Sequence, residues 1–205
     1  KSTSLRPRFE NLFDPLSVVP ELEPDRVAIA AQRADLRGLE VSAAYEGDDG
    51  LDWWASYTLA NAEDTVDGRT FARSWDQRHA LQLGMTRSGE RWSYSIAGKW
   101  HSGWPSTDVF LAPSPAAGDP DIVFGERNAG NFSDFFTLDM RLDYRRPIGI
   151  GYFNWFFEIS NSTNRENPCC VDFDIDQDAF GNRTLDKKDD YWFPILPATG
   201  ILIEF

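Results

Sequence analysis

The sequence predicts an all-β fold, an antiparallel transmembrane β-barrel segment, and three observations carry that expectation. Apolar and polar residues alternate with a period of two along stretch after stretch, as in strands whose successive side chains leave opposite faces. The connections between those stretches run short, long, short, long. Aromatic residues of the apolar faces gather beside the short connections. Two packed sheets would explain the alternation alone. A membrane barrel explains the rhythm too, with brief turns at one rim and long loops at the other.

The elements follow in order. Lys1 to Glu10 reads as the end of a strand, and Asn11 to Gln32, with Pro15, Pro20 and Pro24 among many acids, reads as a long loop. From Asp35 to Glu46, Leu39, Val41, Ala43 and Tyr45 oppose Glu40, Ser42, Ala44 and Glu46. Gly47-Asp48-Asp49-Gly50 has the chemistry of a tight turn. Leu51 to Ala62 alternates again, and Glu63 to Asp76 reads as a polar loop. His79, Leu81, Leu83 and Met85 share a face of the next strand, which ends at the turn Ser88-Gly89. Trp92, Tyr94, Ile96, Gly98 and Trp100 then oppose Ser93, Ser95, Ala97, Lys99 and His101. Gly103 to Phe132 is a long connection, too long to be idle in a compact domain. Phe136 to Tyr144 and Phe153 to Ser160 flank a turn at Pro147-Ile148-Gly149. Thr163 to Asp190 reads as a long acidic loop before a closing strand within Tyr191 to Phe205. Tyr45, Trp53, Trp92, Tyr144, Phe153 and Phe205 would form a girdle at the rim of the short turns.

Composition narrows the classes. At 205 residues the chain is long enough for one domain with a core. No stretch approaches the roughly 18 apolar residues of a membrane helix. A mean hydropathy of −0.45 does not exclude a barrel, because every second residue of such a strand is polar. Eight tryptophans and 14% aromatic residues fit an interfacial belt better than an ordinary soluble domain. The net charge of −13 argues against nucleic acid or anionic lipid as a partner. The first residues lack the basic and apolar regions of a signal peptide.

Few side chains suggest chemistry. The adjacent Cys169 and Cys170 are candidates for a vicinal disulfide or a loop staple, and two adjacent thiols are too few for a metal site. Asp172, Asp174, Asp176 and Asp178 have a faint calcium-loop spacing but lack the closing bidentate Glu, so a solvated loop is favoured. His101-Ser102 with Asp108 or a strand acid is the weak candidate for a lipid-hydrolase site. No catalytic residue, cofactor or metal is expected. Glu40, Glu46, Asp52, Lys99, Asp139, Arg141, Asp143 and Glu158 would line the polar face, chiefly as ion pairs. Trp104, Phe110 and Phe124 are the aromatics of the long loops best suited to capturing a ligand.

The last strand, with Ile201, Ile203 and Phe205 on one face, resembles the closing strand of bacterial outer-membrane barrels, whose terminal Phe and alternate apolar residues signal to the barrel-assembly machinery. More of the chain resembles one family. Leu5-Arg6-Pro7-Arg8-Phe9-Glu10-Asn11-Leu12-Phe13-Asp14-Pro15, Arg37-Gly38-Leu39-Glu40-Val41, Ser74-Trp75-Asp76-Gln77-Arg78-His79-Ala80-Leu81 and Ser102-Gly103-Trp104-Pro105 look like late-barrel segments of TonB-dependent outer-membrane receptors. Glu158 to Asn161, Asn164-Arg165 and Asn167-Pro168-Cys169-Cys170 look like that family's penultimate strand and last long loop.

The resemblance implies a barrel of roughly 22 strands around a plug. This chain would supply about seven full strands and one partial strand, the C-terminal part, with short periplasmic turns and long extracellular loops. It also implies the outer membrane as location and energised uptake of a scarce nutrient, such as an iron–siderophore, as function. The implied partners are outer-membrane lipid, the plug and remaining strands, and TonB through the plug. Two alternatives stay open: a self-contained barrel of about eight strands with a structural or adhesion role, and the lipid hydrolase.

Overall fold

The computed structural model describes residues 5–12, 25–113 and 122–205, and among them the chain is all strand, turn and loop, without a helix. Strands β1 (Arg8–Asn11) and β2 (Arg26–Ile29) come first, followed by β3 (Arg33–Glu46), β4 (Leu51–Val66), β5 (Arg69–Ala72), β6 (His79–Ser88) and β7 (Trp92–His101). Four short strands lie in the next connection: β8 (Pro105–Ser106), β9 (Val109–Leu111), β10 (Ile122–Phe124) and β11 (Gly130–Asn131). Then come β12 (Phe135–Ile148), β13 (Gly151–Ser160), β14 (Pro168–Gln177), β15 (Arg183–Tyr191) and β16 (Leu196–Glu204).

Seven long strands form one antiparallel sheet in the order β16-β13-β12-β7-β6-β4-β3, with β5 folded back on β4. Chain order and spatial order run together, so tight turns and long connections fall at opposite ends of the sheet. The tight end carries residues 47–50, 89–91 and 149–150, and the other end carries the long connections.

The long connections are more ordered than their polar composition suggests. The segment 63–76 is not all loop, because β4 runs on to Val66 and turns back into β5 through Asp67 (φ 49°) and Gly68 (φ 76°). Two positive φ values in a two-residue connection are the backbone of a type I′ hairpin, which Asp-Gly favours. The connection 103–132 holds the pairs β8–β11 and β9–β10, and 163–190 holds the β14–β15 hairpin. Within the expected loop 11–32, β2 pairs with β1, while residues 13–24 lie outside the described ones. β1 therefore does not pair with β16, the partner a self-contained eight-stranded barrel needs.

The register keeps one face apolar from edge to edge. Tyr45, Trp53, Met85, Ile96, Met140 and Ile159 stand opposite one another in a single cross-strand row. A slip of one residue anywhere would turn a whole strand over. The row is oblique to the line of turns. Tyr45 and Trp53 stand four residues from the centre of their hairpin, Met85 and Ile96 between five and six, Met140 and Ile159 between nine and ten. At about 3.3 Å per residue and 4.8 Å between strands, a level line of turns makes the strands lean by roughly 45°. Such a lean is what closing a sheet into a barrel requires.

No buried core lies beneath this apolar face. Val41, Leu83, Met85, Met140 and Ile201 are all exposed, between 41 and 64%. Among the described residues the buried apolar side chains are Leu12, Ile29, Ala31, Ala34, Val109, Cys169, Cys170 and Val171, all at the loop end. Aromatics band the exposed face at two levels. Beside the turns, Tyr45 stacks on Trp53 at 6.2 Å, and Trp92 meets Tyr144 at 4.6 Å and Trp155 at 6.5 Å. Beside the loops, His79 stacks between Tyr57 and Trp100 at 6.2 and 6.5 Å. Eight residues separate Trp92 from Trp100, about 27 Å along the strand and roughly 20 Å in height after the lean.

One glycine holds the last strand in place. A Cβ on Gly151 would lie 1.8 Å from the Glu204 carbonyl oxygen, so the backbones of β13 and β16 meet too closely for any side chain. Gly151→Ala is expected to cost about 1–3 kcal/mol by forcing the strands apart. A denaturant midpoint lowered without a change in slope would check it.

Candidate functional site

The loop end is built around buried charge. The Asp64 side chain is fully buried near the tip of β4. Its Oδ1 accepts Nη2 of Arg73 at 3.0 Å, Nε of Arg73 reaches both carboxylate oxygens at 3.1 Å, and Arg8 of β1 donates to Oδ2. Glu10 gathers a second set, pairing with Arg8 and Arg127 and accepting the Ser74 hydroxyl at 2.8 Å. Asn128 extends the network, donating from Nδ2 to the Ala72 carbonyl at 2.6 Å and from its backbone N–H to Thr107 Oγ1 at 3.0 Å. The β1–β2 hairpin, the β4–β5 hairpin and the 103–134 connection are thereby tied together. Burial alone would raise the Asp64 carboxyl, but the hydrogen bonds from Arg73 and Arg8 outweigh it and hold the group below the usual carboxylate range. Burial lowers the Arg127 guanidinium, against the pull of Glu10.

A second tie joins the 161–195 connection to the sheet. Asn167 is 1% exposed and imitates a strand residue: Phe136 N–H donates to its Oδ1 at 2.8 Å, and its Nδ2 donates to the Phe136 carbonyl at 2.9 Å. Asn161 N–H donates to Asp139 Oδ1 at 2.8 Å, and its Nδ2 donates to the Arg165 carbonyl at 2.9 Å.

Between these two ties lies a pocket on the polar face. Its floor comes from cross-strand neighbours, with Ala80 opposite His101 opposite Phe135, and Gln82 opposite Lys99. Trp104 and Trp192 close it from two different connections, and the volume is about 290 Å³. His101 stacks almost parallel on Phe135 at 4.7 Å and on Trp104 at 5.2 Å, while Trp104 meets Trp75 edge-on at 4.7 Å. Both indole N–H groups, of Trp104 and Trp192, are buried and have no protein partner among the described residues. A buried donor left unmet costs about 1–3 kcal/mol, and both nitrogens are closed off from the pocket's open volume.

The residues singled out by sequence go to different places. Trp104 is in this pocket. Phe110 and Phe124 are on the β9–β10 hairpin, exposed by 54 and 42%, with Phe110 paired to Val123 and Phe124 to Val109. Cys169 and Cys170 are buried at the start of β14, beside a bulge in its pairing with β15, their sulfurs 2.7 Å apart. Asp178 is taken up by its own turn, accepting the N–H groups of Phe180 and Asn182 at 2.8 and 2.9 Å. Asp172, Asp174 and Asp176 lie along β14 opposite Lys188, Asp186 and Thr184.

His101 Nδ1 is 2.8 Å from the Ser102 carbonyl oxygen, whereas the Ser102 hydroxyl accepts the His79 N–H at 3.1 Å. A serine and histidine arranged in this way do not make a nucleophile–base pair. On the polar face Arg141 bridges Asp143 and, across the strands, Glu158, each at 2.8 Å. Ile201 and Ile203 stand on the apolar face opposite Trp155 and Phe153, and Phe205 lies past the strand end, 91% exposed.

Sequence reasoning missed Phe135 and Trp192 as members of a site. Phe135 follows a loop on the polar face of its strand, where an aromatic breaks the alternation, and that break was the available signal. Trp192 carried none, since only the return of the 161–195 connection brings it to the sheet. No protein-family model, curated protein or solved structure matches the chain.

Proposed function

We infer that the chain is a wall section of an outer-membrane β-barrel that takes part in TonB-energised uptake of a scarce nutrient. The observation that carries the membrane reading is the continuous apolar face, in register over seven strands, exposed, and banded by aromatics at two levels. In water such a face would be a very large unmatched apolar patch. In a bilayer it is the lipid side, and the spacing of roughly 20 Å between bands is close to the apolar height of transmembrane barrels, about 25 Å. The lean of roughly 45° adds independent support. The uptake reading rests further on the resemblance of the late strands and loops to TonB-dependent receptors.

The ordered loop end suits this role, since loops tied to the rim by buried ion pairs hold binding groups in place at the entrance. Pairing of β1 with β2, away from β16, favours a section of a larger wall over a self-contained small barrel.

The test uses the full gene product in its own cells. Recovery with the outer-membrane fraction, and migration that changes on boiling, support the barrel. Loss of accumulation of one labelled iron chelate or cobalamin on gene disruption, matched by loss on adding a protonophore, supports energised uptake. Recovery as a soluble protein would overturn both.

A further inference from the structure

Cys169 and Cys170 stand where the strand pattern breaks. A regular strand sends adjacent side chains to opposite faces, so adjacent sulfurs on it do not meet. Here they touch, and both side chains are buried. The register gives the reason. Pro168 pairs with Tyr191 and Cys170 with Asp190, so β15 sets two residues against three, and Cys169 is the extra residue of a bulge. A bulge re-aims side chains, and this one brings both sulfurs together.

The bulge sits at the foot of the β14–β15 hairpin. Next to it, the Asn167 carbonyl accepts the Trp192 N–H at 2.9 Å, while the Asn167 side chain grips the backbone of Phe136 in β12. Whatever fixes the bulge therefore fixes how the hairpin leaves the sheet.

Two routes other than mutual oxidation are closed off. These are the only cysteines among the 205 residues, so a staple to another loop of this chain has no second sulfur. A cross-link to a second molecule would have to reach side chains that are 8 and 7% exposed. Covalent geometry sets the character of the remaining bond. Adjacent Cα atoms lie about 3.8 Å apart across a trans peptide, short of the roughly 4.4–6.8 Å usual for disulfides. Such a bond is strained and easily reduced, as labile and regulatory disulfides are.

We propose that Cys169 and Cys170 close to a vicinal disulfide that latches the β14 bulge, and with it the foot of the β14–β15 hairpin, and that reduction releases the latch. The bond forms by thiol–disulfide exchange. One cysteine thiolate attacks the disulfide of an oxidant and releases its first thiol. The neighbouring thiolate then attacks the mixed disulfide at the cysteine sulfur, closing the ring and releasing the second. The two cysteine thiols give up two electrons and two protons, and the oxidant leaves as two thiols. Uptake is not required; an oxidising compartment is, and export supplies it.

The experiment acid-quenches cells making the full gene product and dissolves them in denaturant with N-ethylmaleimide. Reduction and labelling with iodoacetamide follow. Mass spectrometry of the peptide spanning both cysteines should show two carbamidomethyl groups and no maleimide. Two maleimides on protein from the outer-membrane fraction would overturn the proposal, and so would a link from either cysteine to a different peptide. Refolding the reduced, purified protein in a glutathione redox buffer separates chemistry from location. A vicinal bond formed there, with reduced protein recovered from the cytosol, would keep the latch and sink the export reading. Its failure to form there would overturn the latch.

Amide hydrogen exchange reads the latch itself. Mild reduction of the folded protein should speed exchange across 168–191 by about tenfold and leave β12 and β13 unchanged. The double variant Cys169→Ser, Cys170→Ser should exchange at the reduced rate with or without reductant. Equal exchange in oxidised and reduced wild type would overturn the latching role.

Discussion

On the proposed barrel reading, Met140→Arg is expected to destabilise the protein in a bilayer by about 2–4 kcal/mol, the cost of an arginine on a lipid-facing strand near mid-bilayer. Met140 is 41% exposed on the apolar face, midway between the aromatic residues Phe136 and Tyr144 of its own strand. The control is Thr86→Arg on the polar face, where the new guanidinium stands opposite Asp52 and should change stability by less than about 1 kcal/mol. Unfolding from lipid vesicles in denaturant measures both. The comparison is decisive because the two environments predict different results for Met140→Arg. On a sheet whose apolar face meets water, replacing an exposed methionine with arginine removes a hydrophobic liability and is nearly neutral. A Met140→Arg protein as stable as the parent would sink the membrane reading outright.

Asp64→Asn carries the second large effect. The wild-type carboxylate receives Arg73 and Arg8 in a site where its own side chain is fully buried. Removing one member of a buried ion pair costs about 3–5 kcal/mol, and because both arginines reach water here a loss of about 2–3 kcal/mol is expected. The loss should be local. Glu10, Arg127 and Asn128 transmit it to the 103–134 connection, so protease cleavage there should accelerate by roughly thirtyfold while the sheet stays resistant.

The same carboxylate sets a pH dependence. Its folded pKa is depressed, so its contribution is present above the unfolded value of about 3.9 and is lost as pH falls through the lower folded value. Cleavage of the wild type should therefore be flat from pH 7 to 5 and rise only below about pH 4. Asp64→Asn should abolish that acid step. A step centred near pH 6 would mean that some other group controls the loop end.

How much of this was legible beforehand depends on which force set each element. The seven long strands were visible because each carries one uniformly apolar face, and a two-residue period survives any choice of particular side chains. Their turn chemistry was visible too, in Gly47 to Gly50 and Ser88-Gly89. The ordered structure of the long connections was not read, for two different reasons. In β14, Val171, Phe173 and Ile175 alternate with aspartates as cleanly as any strand of the seven-stranded sheet, yet the acids suggested a solvated loop. At Asp67-Gly68 the hairpin signal was present but lay inside a polar stretch.

β15, by contrast, has no usable period. It is held by pairing with β14, a tertiary fact that no local pattern encodes. The pocket divides in the same way. Trp104 stood out as a loop aromatic, whereas the pocket itself forms only where two distant connections meet over the polar face.

The sheet's outer edges have a consequence for handling the protein. Among the described residues β3 and β16 each pair on one side only. Half of the 14 residues of β3, and about half of the 9 of β16, direct their N–H and C=O groups outward. In lipid each unmet group costs several kcal/mol, so neighbouring strands are a condition of insertion. In water the same two rows are templates. Expressed by itself, the 205-residue chain should grow by edge pairing into β-rich oligomers, with a lag that shortens as concentration rises. A proline in the middle of β3 at a position whose N–H faces the free edge, Ser42 for instance, should lengthen that lag.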